Sequence, residues 1–176
     1  MHIRSVRRIA AAALIAAVYA ALTMGLSFMS YGPIQFRVAE VLCILPFFFP
    51  WTAWGVTAGC LIANLISAYG PADVVLGTLA TLLSCLAIAA LGRGNRQSWL
   101  TDILVCLMPV LFNAVIVGAM IAWFEAGSFS AAGFWAAFAV NGISVGAGEL
   151  AVMFVLGLPL IRVLPNSGLY ARMQIE

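Results

Sequence analysis

Long apolar runs separated by short polar breaks predict a helical membrane protein. About 20 helical residues, at 1.5 Å of rise each, cross a hydrocarbon layer of roughly 30 Å. The apolar runs are expected to form helices at about 9–29, 38–49, 52–67, 74–91, 102–123 and 134–164. No break resembles a linker between domains, so one integral membrane domain over residues 1–176 is expected.

The stretch 41–67 decides whether the bundle has five or six spans. Pro46, Pro50 and Gly55 interrupt it, and a proline inside a helix kinks or ends that helix. Two helices that meet near Pro50 place seven arginines on the side of the N-terminus and only Arg37 on the other side. One long helix would divide the arginines three against five. The positive-inside rule therefore favours an all-α bundle of six transmembrane helices with both termini cytoplasmic.

Composition agrees with a membrane protein and excludes several functions. The chain is 65% hydrophobic and 8% charged, with a mean hydropathy of +1.12, which is too apolar for a soluble domain. A net charge of +2 gives no sign of nucleic-acid binding. The chain lacks lysine, which excludes a Walker A motif and a Schiff base, and His2 is the single histidine. We therefore expect no enzyme, and any ATP hydrolysis must belong to another chain.

No metal site or cofactor is expected in this chain. The four cysteines form no Cys-x-x-Cys pair and have no histidine near them, so we interpret them as packing residues. They are Cys43, Cys60, Cys85 and Cys106.

The stretch Tyr31–Glu40 lies between two very apolar runs and contains Gln35, Arg37 and Glu40 within six residues. We interpret it as an ordered loop that lines the mouth of a binding cavity. Glu40 also has a structural interpretation, because a carboxylate is favoured at a helix start and Arg37 lies three residues before it.

Glu149 lies halfway along the last predicted helix, with no arginine or lysine within a helical turn. An ionisable group at that depth costs roughly 2.5–3.5 kcal/mol on insertion scales, so its presence needs a reason. It either faces a cavity or joins helices through a hydrogen bond. Asn113, four residues after Pro109, and Asn64 have the same two interpretations. For Asp73, at the start of a helix, capping is the alternative to binding.

Acids and amides without a metal cluster suit a small, flat, nitrogen-rich ligand. A carboxylate accepts two parallel N–H bonds from such a ligand, and losing one bond leaves a buried polar group unsatisfied. Most of the candidates lie toward the outer side, which predicts capture from outside and movement inward. The candidate substrate-binding residues are Glu149, Asn113, Asn141, Glu40, Arg37, Gln35, Asn64, Tyr31 and Asp73.

Two rows of alanine follow the first helix at four-residue spacing, which lets another helix approach closely. One row is Ala12, Ala16 and Ala20, and the other is Ala13, Ala17 and Ala21. Packing inside the chain and docking of a partner subunit are both consistent with this spacing.

Several motifs in this order resemble the QueT family over about residues 9–165. They include Tyr-Gly-Pro-Ile-Gln-Phe-Arg-Val-Ala-Glu, Ala-Asn-Leu-Ile-Ser-Ala-Tyr-Gly, Gly-Thr-Leu-Ala-Thr-Leu, Phe-Asn-Ala-Val-Ile-Val-Gly and Gly-Glu-Leu. The resemblance implies a six-helix S component, the substrate-binding subunit of an energy-coupling factor (ECF) transporter in the plasma membrane. It implies a queuosine precursor, a deazaguanine base, as ligand, and a membrane T component and two cytosolic ATPases as partners.

In related S components an alanine row on the first helix docks the T component, and both rows here match that pattern. Two alternatives to this function remain. One is an S component for another small base or vitamin, and the other is a membrane helix bundle that transports nothing.

Overall fold

A computed structural model describes residues 2–30, 35–94, 98–130 and 132–174, and within these ranges the chain is helical without a strand. The six main helices are α1 (His2–Gly25), α2 (Val38–Phe48), α3 (Thr52–Asn64), α4 (Pro71–Gly94), α5 (Trp99–Ala126) and α6 (Phe134–Asn166). Short helices at Ser27–Ser30 and Gly168–Met173 follow α1 and α6. The predicted all-α class is confirmed.

Two of the main helices are irregular. α2 begins as a 3-10 helix over Val38–Ile44 and becomes α-helical over Leu45–Phe48. α6 contains a π-helical turn at Met153–Gly157, four residues after Glu149. Such turns occur frequently at functional sites.

Four helices are long and apolar enough to span a bilayer: Ser5–Gly25, Pro71–Arg93, Trp99–Ala126 and Phe134–Asn166. α2 and α3 are shorter. At roughly 2.0 Å per 3-10 residue and 1.5 Å per α residue, each covers roughly 20 Å of the ~30 Å hydrocarbon layer. The count of six spans and the side of the termini therefore stay predictions.

Local signals explain why α4 and α5 each begin three residues before the predicted bound. α4 starts at Pro71, because proline is well suited to the first helical position and Gly70, at φ +57°, makes the turn before it. α5 starts at Trp99, where the Ser98 hydroxyl accepts a hydrogen bond from the Thr101 N–H at 3.2 Å.

α1 packs against α3 through small residues. A Cβ placed on Gly55 would lie 2.6 Å from the Ala12 carbonyl oxygen, and one on Gly59 would lie 2.7 Å from that of Ala16. The two backbones therefore touch, and one alanine row is used inside the chain. That row is Ala12, Ala16 and Ala20, of which the last two are 7% exposed. The other row, Ala13, Ala17 and Ala21, is exposed.

Close packing of glycines also positions α6. A Cβ on Gly118 of α5 would lie 2.7 Å from the Gly142 Cα, so α5 and α6 nearly touch. Further along α6, Gly148 lies directly under the backbone of Gln35. The segment that leads into α2 therefore crosses α6 beside Glu149 and joins two distant parts of the sequence.

Candidate functional site

Glu40 is fully buried and is held by three neutral donors. The Tyr19 hydroxyl donates to Oε1 at 2.5 Å, and the Thr81 hydroxyl donates to the same oxygen at 3.0 Å. The Cys43 thiol donates to Oε2 at 2.9 Å. These donors come from α1, α4 and α2, so Glu40 joins three helices, and both of its oxygens are engaged by the chain itself.

The network continues from Thr81 towards the start of α4. The Cys60 sulfur lies 3.2 Å from the Thr81 hydroxyl. The Asn64 side-chain N–H donates to this sulfur at 3.4 Å and to the Asp73 carbonyl at 3.1 Å. Sequence reasoning treated the cysteines as packing residues, but two of them are members of a buried polar network.

Arg37 forms an ion pair with Asp73 rather than with Glu40. Its Nη2 lies 3.3 Å from Oδ2 of Asp73, and both side chains are 1% exposed. Arg37 precedes α2 with φ −83° and ψ 84°, so the helical i, i+3 geometry that would bring it to Glu40 does not apply. Asp73 lies in the first turn of α4 and serves as a counter-charge there, not as the predicted cap.

Glu149 and Asn113 face each other between α6 and α5. The Asn113 amide donates to Oε1 of Glu149 at 3.4 Å, and both side chains are 1% exposed. Within the described part of the chain, no group donates a hydrogen bond to Oε2 of Glu149 or to Oδ1 of Asn113. The pair thus offers two buried acceptor oxygens, and Gly148, the residue before Glu149, lies against the backbone of Gln35.

Seven of the nine candidate binding residues are buried in this polar interior: Gln35, Arg37, Glu40, Asn64, Asp73, Asn113 and Glu149. Asn141 lies elsewhere, because it is half-buried and donates to Glu125 at 2.8 Å and to the Ala137 carbonyl at 3.0 Å. The expectation for Tyr31 lies outside the described residues. Among the described residues, no group of three or more His, Cys, Asp and Glu side chains is arranged to hold a metal ion.

Comparison with known proteins agrees with the resemblance in sequence. The family model described as "QueT transporter" matches residues 9–166. Over 73 residues the chain is 49% identical to the queuosine precursor transporter QueT of Lactococcus lactis subsp. cremoris, a match that covers 40% of this chain and 43% of that relative. No solved structure matches the chain significantly.

Both descriptions are of transporters rather than enzymes, and the apolar helices fit a multi-pass membrane protein. The family match covers most of the chain. It includes the buried network around Glu40 and the Glu149–Asn113 pair. The chain therefore belongs to the QueT transporter family.

Proposed function

We propose that this chain is the substrate-binding subunit of an ECF-type importer and that it captures a queuosine precursor from outside the plasma membrane. In this proposal a membrane T component and two cytosolic ATPases supply the energy for uptake. The observation that carries the ligand site is the buried pair Glu149–Asn113, in which two acceptor oxygens have no donor among the described residues.

The chemistry of this pair suits a deazaguanine base. Its ring N–H and its amino group point the same way, so a carboxylate accepts both, and an amide oxygen accepts the remaining amino hydrogen. Glu149 is the better candidate to bind the base. Glu40 already accepts three hydrogen bonds, from Tyr19, Thr81 and Cys43. A flat base bound here would supply donors to these two oxygens, and an unmet buried acceptor costs about 1–3 kcal/mol.

The positions of the arginines support a six-span topology. Arg8 and Met173 line one depression together with the turn between α2 and α3, and Gly92 lies against the backbone of Phe47 near that turn. Among the described inner arginines, Arg8, Arg93 and Arg172 thus lie in or next to segments that meet near this turn. Arg37, the single arginine predicted to be outside, belongs to the buried site. In this proposal α2 and α3 form a pair of short spans, with the arginine-rich end in the cytoplasm.

The exposed alanine row of α1 is our candidate for docking the T component. Ala13, Ala17 and Ala21 are exposed, whereas the neighbouring row is packed on α3. A partner helix approaches closely only where side chains are small. Of the two rows that four-residue spacing left open, we therefore propose the exposed one.

Changing Ala17 to Trp tests this docking surface. An indole in the middle of the row would hold the partner helix away, so we expect co-purification of the T component to fall at least ten-fold, about 1.4 kcal/mol. Ligand binding by the isolated chain should stay unchanged. Ala139→Trp, at an exposed alanine of α6, is the matched control. Equal assembly of both variants with the T component would argue against the row.

Equilibrium binding to the detergent-purified chain tests the ligand. We expect selective binding of deazaguanine precursors over guanine and over unrelated vitamins, and no chemical turnover of the bound base. Binding of an unrelated vitamin in place of the deazaguanines would redirect the substrate to another class. The absence of binding to any base would remove the substrate assignment.

A further inference from the structure

An apolar groove of about 440 Å³ runs along α1 at the arginine-rich end of the bundle. Its walls come from α1, α2, the last turns of α6 and the short helix Gly168–Met173. Leucines dominate the lining, and Arg172 is its one charged residue within the described chain. No part of the ligand site described above borders this groove.

The groove opens on the side of the bundle, which faces the bilayer in the proposed topology. Leu14 on one wall is 66% exposed, and Leu169 on the other is 56% exposed. At the end with Arg172, the groove adjoins the depression that contains Arg8, since Met173 lines both. A molecule in the groove would therefore lie along apolar side chains and end beside guanidinium groups.

The lining favours an amphiphilic occupant over a helix of another protein. The groove follows α1 from Ala11 to Val18, roughly 10 Å, between apolar side chains. Its one charged lining residue within the described chain, Arg172, lies next to Met173, which also borders the depression with Arg8. A hydrocarbon chain with an anionic head group matches both features.

We propose that this groove binds one acyl chain of an anionic phospholipid, whose phosphate is held by Arg172. A guanidinium pairs well with phosphate oxygens, and a basic residue at the cytoplasmic surface is worth about five-fold in affinity for anionic lipid. The groove is thus a lipid site that is separate from the substrate site, and the proposal does not depend on which ligand the chain transports.

The full chain, purified in a non-ionic detergent, is incubated with equal amounts of phosphatidylglycerol and phosphatidylcholine, and retained lipid is counted by native mass spectrometry. We expect one phosphatidylglycerol per chain, preferred over phosphatidylcholine. Arg172→Gln should lower that preference about five-fold, and Ala11→Phe, which fills the groove, should abolish retention of both lipids.

A second groove supplies a matched control. The described residues that line it are apolar, among them Ala151 and Val155 of α6, and its volume is about 240 Å³. Ala151→Phe fills it and should leave the retained phosphatidylglycerol unchanged. Equal retention of the two lipids by the unmodified chain would overturn the proposal, as would an undiminished preference in Arg172→Gln. Should Ala11→Phe fail to fold, the Arg172→Gln comparison still decides.

Discussion

Replacing Glu149 by Gln is expected to weaken binding of a deazaguanine precursor by roughly ten- to hundred-fold. The change keeps the shape of the side chain but replaces one acceptor oxygen by an amino group, which cannot accept the hydrogen bond of the ligand. A buried polar group left without its partner costs about 1–3 kcal/mol, and each 1.4 kcal/mol is ten-fold in affinity. Isothermal titration of the detergent-purified chain measures this directly.

Two control variants separate a ligand contact from a general effect. Glu125→Gln makes the same chemical change on an exposed carboxyl and should leave affinity unaltered. Glu40→Gln disturbs a carboxyl that joins α1, α2 and α4, so it should lower the unfolding temperature more than Glu149→Gln does. If Glu149→Gln binds the precursor with unaltered affinity, this carboxyl is not a ligand-binding residue.

Changing Asn113 to Leu, which removes its whole amide group, gives an independent check on the same pair. Because Asn113 donates to Glu149 and offers its own oxygen, its loss should weaken binding and also leave Oε1 without this donor. If both residues contact the same ligand, the double variant should lose less binding free energy than the two single variants lose in sum. Additive losses would indicate that the two side chains act on separate features.

The helices were predictable from sequence because a bilayer imposes long apolar runs on the chain. The irregular backbone of α2 and the π turn of α6 were not. Hydropathy averages over whole turns, whereas Val38–Ile44 and Met153–Gly157 differ from an α-helix only in which carbonyl each N–H reaches. These details depend on packing, such as the contact of Gly157 with Ile44.

The site was predictable only where burial of a residue is expensive. Glu149 and Arg37 could be singled out because charges are rare inside membranes. Tyr19 and Thr81 gave no such signal, since hydroxyls are tolerated in membrane helices through local hydrogen bonds. The sequence also could not predict that Arg37 pairs with Asp73, because the two residues are 36 positions apart and meet only in the tertiary fold.

Asn141 illustrates the limit of reading one helix alone. It lies on broadly the same half of α6 as Glu149, eight residues away, which favoured a common cavity. The structure shows that its amide instead donates a hydrogen bond, at 2.8 Å, to Glu125 near the end of α5. Because Glu125 accepts the hydrogen bond of the Asn141 amide, Asn141 does not join the candidate site around Glu149, although both lie on the same half of α6.

Changing Asp73 to Leu should lower the free energy of unfolding by about 3–5 kcal/mol, the usual cost of removing one partner from a buried ion pair. Arg37 is 1% exposed and would lose the carboxylate that lies 3.3 Å from its guanidinium. Changing Arg37 to Met in the same chain removes the buried charge, so the double variant should recover most of the loss. Unfolding in mixed detergent, followed by circular dichroism, gives the three free energies. Equal stability of the single and double variants would show that the uncompensated Arg37 charge is not the cause of the loss. If the double variant recovers as expected, its ligand binding reports whether Arg37 has a role beyond the fold.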